Sequence, residues 1–199
     1  MCSSDLAKEH NNSWIEATNG SPNALFRNNA GKGFVDVAEQ AGVRGNSWSY
    51  ASAAVDIDDD GDQDLYVAND YGTNRLYINQ GDGTFVDAAA EYGITDQGNG
   101  MGVAFGDFTG DGSLDLYVSN MSSTAGNRIL DRYEGHVPEE IYASLKKAAA
   151  GNTIFTRTAT GAFTKVPQSA GGVSANWAWS PVLADFDLDG RLDVFCTNG

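Results

Sequence analysis

Histidine, cysteine, methionine and proline are all scarce in this chain of 199 residues, at two, two, three and four copies. With only His10 and His136 to supply imidazole, acid–base chemistry of that kind has little to draw on. No Ser-His-Asp, Cys-His or zinc-ligand spacing occurs. Cys2 and Cys196 cannot make a disulfide framework, and Cys196, inside the apolar run 192–196, reads as a buried free thiol. No apolar stretch is long enough to span a membrane. None precedes Cys2, so the lipidated-start reading of Cys2-Ser-Ser-Asp is weak, and no signal peptide is present in this chain. Positive charge is short as well: 12 basic residues face 27 acidic ones, a net charge of −15. Such a surface repels nucleic-acid phosphates and anionic lipid heads, which excludes nucleic acid as a general partner and argues against membrane insertion.

Acidity could be no more than a solubilising coat, but its distribution says otherwise. Thirteen of the 27 acidic residues fall in three short segments, 56–64, 107–115 and 185–193. Diffuse surface charge does not cluster like that; a bound cation accounts for it directly.

Internal repetition organises the chain. Asn23-Ala-Leu-Phe-Arg-Asn28 returns as Asn74-Arg-Leu-Tyr-Ile-Asn79, and Gly33-Phe-Val-Asp36 as Thr84-Phe-Val-Asp87, both 51 residues on. Asp56 and Asp107 keep that offset, whereas Asp107 to Asp185, Tyr77 to Phe155 and Phe85 to Phe163 are 78 apart. The repeat is therefore about 51 residues, with an insertion of about 27 in the last unit. Within one unit the strand signals come in fours: 52–55, 65–68, 76–78 and 84–86, separated by turn-forming Asn, Gly and Asp. Four short antiparallel strands at this period predict an all-β fold, a partial β-propeller of four-stranded blades. A β-helix would repeat at a much shorter interval. The insertion, about 128–151, holds one short helix over 138–151. Pro138 opens it, Glu139 and Glu140 sit in its first turn, Lys146 and Lys147 come late and Gly151 stops it. Residues 22–199 read as propeller and 1–21 as an irregular segment. The opening Cys2-Ser-Ser-Asp-Leu6 resembles translated sequencing-adaptor sequence, so residues 1–6 are expected to be artefactual.

The three acidic segments align position by position as Asp56-Ile-Asp-Asp-Asp-Gly-Asp-Gln-Asp64, Asp107-Phe-Thr-Gly-Asp-Gly-Ser-Leu-Asp115 and Asp185-Phe-Asp-Leu-Asp-Gly-Arg-Leu-Asp193. Calcium is a hard cation that takes six to eight oxygens from a compact loop. Oxygen-bearing side chains at positions 1, 3 and 5 turn inward together: Asp56, Asp58 and Asp60; Asp107, Thr109 and Asp111; Asp185, Asp187 and Asp189. Glycine at position 6 supplies the positive φ that wraps the chain. Position 7 offers its carbonyl, so its side chain is free to vary, and it is Asp62, Ser113 or Arg191. Position 9, Asp64, Asp115 or Asp193, closes the shell. An EF-hand needs glutamate at position 12 and flanking helices; here position 12 is Val67, Val118 or Cys196. Three calcium sites are therefore expected. The second, with Thr109 in place of a carboxylate, is expected to be the weakest.

Taken together, Asn74-x-Leu-Tyr-x-Asn79, Gly81-Asp-Gly-Thr-Phe85, Gly93-Ile94 and Asp115-Leu-Tyr-Val-Ser-Asn120 resemble FG-GAP/VCBS repeats. Such repeats build the integrin α-subunit propeller and occur in the cartilage-acidic-protein and ASPIC/UnbV group. The resemblance implies a calcium-binding, usually extracellular propeller and no reaction. The expected function is a non-catalytic module for adhesion or recognition of an extracellular protein or glycan, in a secreted, periplasmic or cell-surface setting. Two alternatives are the propeller portion of a secreted carbohydrate-active enzyme and a lectin-like module using Trp48, Trp177 and Trp179. Since Trp48 and Trp177 occupy the same repeat position, packing between blades is the stronger reading of these indoles.

Overall fold

A computed structural model describes residues 17–122, 124–171 and 175–199. The expectations for residues 1–6, Cys2 and His10 lie outside the described residues. Among the described residues, twelve strands form four antiparallel sheets. Strands β1 (Phe26–Asn28) and β2 (Phe34–Asp36) pair with each other and lead into the one-turn helix α1 (Ala38–Ala41). Strands β3 (Trp48–Val55), β4 (Asp64–Asp70), β5 (Arg75–Asn79) and β6 (Phe85–Asp87) form one four-stranded meander. Strands β7 (Asn99–Gly106), β8 (Asp115–Met121), β9 (Thr153–Arg157) and β10 (Phe163–Lys165) form the next. Strands β11 (Ala178–Ala184) and β12 (Asp193–Asn198) make a final pair. By the 51-residue offset, β1 and β2 match β5 and β6, so they are the outer half of a blade; β11 and β12 match the inner pair β7 and β8. The β-propeller architecture expected from the repeat is therefore present as two complete blades flanked by an outer and an inner half.

Burial follows from this stacking. Every residue of β4 except Leu65 is buried, and so is every residue of β8 except Met121. A strand covered on both faces reads as a continuous apolar run rather than an alternation, as in Leu65-Tyr-Val-Ala68 and Leu116-Tyr-Val118. The main core lies between the two complete blades, where Ile57, Tyr66, Leu76 and Ile94 meet Leu116, Val118 and Phe155. A smaller core joins α1 to the first complete blade through Ala38, Ala41, Val43, Val67 and Tyr77.

The insertion between β8 and β9 carries two helices rather than the single one expected: α2 (Thr124–Leu130) as well as α3 (Glu139–Ala148). Gly126 and Asn127 are poor helix formers and leave α2 without a legible start. No residue of α3 is buried; its Leu145 and Ala148 line a shallow groove with Met121, Ile129, Leu130 and Trp177. The tryptophans are less enclosed than inter-blade packing predicts. Trp48 is 41% and Trp177 48% exposed. The Trp48 ring sits edge-on to Tyr71 at 6.1 Å, and its Nε1 donates to Asn19 Oδ1. Cys196 is a free thiol of intermediate burial, and that burial raises its pKa.

Candidate metal centre

Each acidic loop closes the hairpin between the first two strands of its sheet, and all three fold on the same hydrogen-bond scaffold. The position-1 carboxylate accepts the N–H of position 6: Gly61 to Asp56 at 3.0 Å, Gly112 to Asp107 at 2.8 Å and Gly190 to Asp185 at 2.8 Å. It also accepts the N–H of position 5, at 3.1, 3.2 and 3.0 Å in the three loops. The position-5 carboxylate caps the N–H of position 7: Asp62 to Asp60, Ser113 to Asp111 and Arg191 to Asp189. The glycine at position 6 has φ of 94°, 87° and 87°, a region that L-residues seldom adopt. Position 4 is left-handed as well: Asp59 at 64°, Gly110 at 73° and Leu188 at 63°. The sequence reading assigned that backbone demand to position 6 alone.

Position 9 does more than close a shell. Asp64 and Asp115 are fully buried. One oxygen of each accepts the N–H of position 2, Ile57 or Phe108, at 2.9 Å. The other accepts a third-strand N–H, Asn79 at 2.8 Å or Arg157 at 2.9 Å. The carboxylate thus latches the loop to the outer half of its own blade. Asp193 makes the first of these bonds, to the N–H of Phe186 at 3.0 Å.

The donor sets differ among the loops. Among the described residues, two groups of carboxylates each bring one oxygen per residue within 4.8 Å of one another: Asp56, Asp58 and Asp64, and Asp185, Asp187 and Asp193. Oxygens on opposite sides of a calcium ion, each about 2.4 Å from it, are separated by about 4.8 Å, so both groups suit such an ion. Asp58 Oδ1 is buried with no hydrogen-bond partner, an expensive state for a carboxylate oxygen unless a cation meets it. Burial, followed by the charges of Asp64, Asp60 and Asp56, raises the pKa of Asp58. The second loop has no such convergent trio among the described residues. Thr109 stands where the others carry Asp58 and Asp187, and Asp107 Oδ1 is also engaged by Gly110 N–H. Amide donors, Gly112 foremost, hold the Asp107 carboxyl below its usual range. Asp60, Asp62, Asp111, Ser113, Asp189 and Arg191 lie in the loops but outside these trios; Arg191 turns its guanidinium onto Asp189.

Two features escaped the sequence reading. Arg157, at the end of β9, reaches the neighbouring blade and pairs with Asp59 Oδ2 at 3.1 Å. The Asn of the Asn-x-Leu-Tyr motif is a buried bracket. Asn74 Oδ1 accepts Asn69 N–H at 2.7 Å while its Nδ2 donates to Tyr66 Oη at 3.1 Å. Asn152 repeats this with Asn120 and Tyr117, at 2.8 and 2.7 Å. Recurrence of Asn and Tyr at the 51- and 78-residue offsets was the available signal.

Residues 56–118 and 140–196 match the family described as FG-GAP-like repeat. Human cartilage acidic protein 1 is 32% identical over 164 residues, 82% of this chain and 21% of that protein. The mouse protein of the same name is 33% identical over the same share of this chain and 22% of its own length. The Xenopus tropicalis one is 30% identical over 189 residues, 90% of this chain and 25% of its own. The chain thus spans between a fifth and a quarter of the length of these relatives.

Proposed function

The chain belongs to the FG-GAP-like repeat family, and on that premise we propose that it is a calcium-loaded, non-catalytic recognition module of an extracellular protein. The observation that carries this reading is the pair of convergent carboxylate trios, one of which holds a buried oxygen with no partner. Bound there, calcium would supply a fixed positive charge that relieves repulsion among the carboxylates of each loop. In the first loop Asp56, Asp58 and Asp64 would hold it, aided by Asp60 and the Asp62 carbonyl. In the third, Asp185, Asp187 and Asp193 would do so, with Asp189 and the Arg191 carbonyl. A third, weaker site would use Asp107, Thr109, Asp111, Asp115 and the Ser113 carbonyl.

Loops of this kind fill where calcium is abundant, which favours a secreted, periplasmic or cell-surface setting. The relatives named for cartilage support an extracellular one. Residues 22–199 form the propeller portion in this reading, and the insertion around 128–151 decorates one side of it. The recognised partner is an extracellular protein or glycan. Equilibrium dialysis in millimolar calcium followed by elemental analysis should return two to three ions per chain. Combining Asp58→Asn with Asp187→Asn should remove the two tighter ones. Less than one ion per wild-type chain would end this reading.

A further inference from the structure

Arg157 belongs to one blade by its backbone and to the next by its side chain. Its N–H is fixed by Asp115 Oδ1 at 2.9 Å, so the end of β9 is pinned to the closing residue of the second loop. Its guanidinium leaves that blade and meets Asp59 Oδ2 in the first loop at 3.1 Å; the arginine side chain is only 12% exposed, the aspartate 76%. Arg157 borders a cleft between blades, lined also by Asp58, Tyr92 and Thr160. Asp59 is at position 4, which none of the expected ligands occupies, yet its backbone is held at φ 64°. That turn sets the directions in which its neighbours at positions 3 and 5, Asp58 and Asp60, leave the chain.

We propose that Arg157 is a positioning residue for the first loop, so that calcium affinity there depends on the blade next door. The proposal rests on the calcium reading above. By charge alone, a guanidinium beside six aspartates weakens binding of a second cation. By positioning, it strengthens binding, because the ordering of Asp59 and the direction of Asp58 are settled before the ion arrives. The two effects have opposite signs, so removing the arginine tells them apart. The third loop has no such clamp: the position equivalent to Asp59 is Leu188, 87% exposed. It serves as an internal reference.

The test is a calcium titration of the whole chain followed by NMR through the amides of Gly61 and Gly190, each of which reports its own loop. In Arg157→Met, which keeps the aliphatic stem and the backbone bond to Asp115, the half-saturation concentration read at Gly61 should rise about fivefold to tenfold. That read at Gly190 should not move. Arg157→Lys should recover part of the loss. With Asp59→Asn already in place, Arg157→Met should weaken binding no further. Unchanged or tighter binding at Gly61 in Arg157→Met would overturn the proposal while leaving the calcium reading intact. Silence of both glycines in wild-type protein at millimolar calcium would end both. If Arg157→Met loses its native spectrum, Arg157→Gln, which also removes the charge but keeps a polar end on the stem, carries the test by the same shift at Gly61 alone.

Discussion

Asn74 shows how one side chain can carry a motif. It is fully buried and ties the start of β5 to the end of β4. It also donates to the Tyr66 hydroxyl, which in turn donates to Ile94 O at 3.2 Å. Asn74→Ala strands the buried Asn69 N–H and removes a donor from Tyr66, so it should cost about 3 kcal/mol in denaturant unfolding. Tyr66→Phe gives up two neutral hydrogen bonds, one to Ile94 O and one from Asn74 Nδ2, and should cost about 2 kcal/mol. The reverse order would show that Asn74 is not the bracket. Burial also pushes the Tyr117 hydroxyl up to about 12 and raises that of Tyr66. The sign follows from linkage. A phenol whose pKa is raised by folding keeps its proton in the native state while the unfolded chain loses it above about 10. Stability is therefore full below that pH and lost as pH climbs from 10 toward 12, by up to about 1.4 kcal/mol per pH unit for each tyrosine. Tyr66→Phe should flatten that alkaline slope. Leu188 presents the opposite case, an exposed apolar side chain held at φ 63°. Leu188→Asn suits the left-handed turn and should raise stability by up to about 1 kcal/mol.

The inner strands carry the constraint that lets blades converge. β3, β7 and β11 each break register near the same repeat position, between Ser49 and Ala51, Gly100 and Gly102, and Ala178 and Pro181. A bulge of this kind bends and twists its strand. At Gly102, in the second complete blade, a Cβ would run into Trp179 O and lie 2.6 Å from Pro181 Cδ, in the adjoining half-blade. Gly102→Ala should therefore drive β7 from β11 and cost about 1–3 kcal/mol. It should also raise hydrogen exchange along β11, which a merely local change would leave protected. Much of this was legible in the sequence. The 51-residue spacing marks the blades, and the Ala- and Gly-rich first strands mark the crowded inner positions. What was not legible depends on contacts across blades or on weak local signals. Arg157 lies 98 residues from Asp59, and nothing in either neighbourhood announces the pair. Asp64 and Asp115 were read as ligands from their spacing, but their bonds to third-strand amides arise only once β4 lies against β5, and β8 against β9. In the insertion, α3 follows a proline and carries acidic residues in its first turn and lysines in its last, whereas Thr124-Ala-Gly-Asn-Arg-Ile-Leu130 has no such frame.

At the scale of the whole chain, a net charge of −15 makes any cation stabilising to some degree, so the effect of calcium must be separated from screening. Screening acts on all exposed carboxylates and saturates with ionic strength, since the Debye length is about 10 Å at 0.1 M salt. Site binding acts through mass action. An ion at about 100 times its dissociation constant contributes about 2.7 kcal/mol per site, and two well-formed sites double that. For a chain of this length each kcal/mol moves Tm by about 2–4 °C, so calcium should raise Tm by about 10–20 °C over chelator. Sodium chloride at matched ionic strength should recover only a small part of this. Magnesium should fall well short too, because it demands stricter octahedral geometry and gives up its waters reluctantly. With the first and third loops disabled by Asp58→Asn and Asp187→Asn, calcium should keep only the small surplus over sodium that the weaker second loop supplies. A calcium-induced rise in Tm that survives both substitutions in full would place the stabilising cation outside these loops, on the diffuse acidic surface instead.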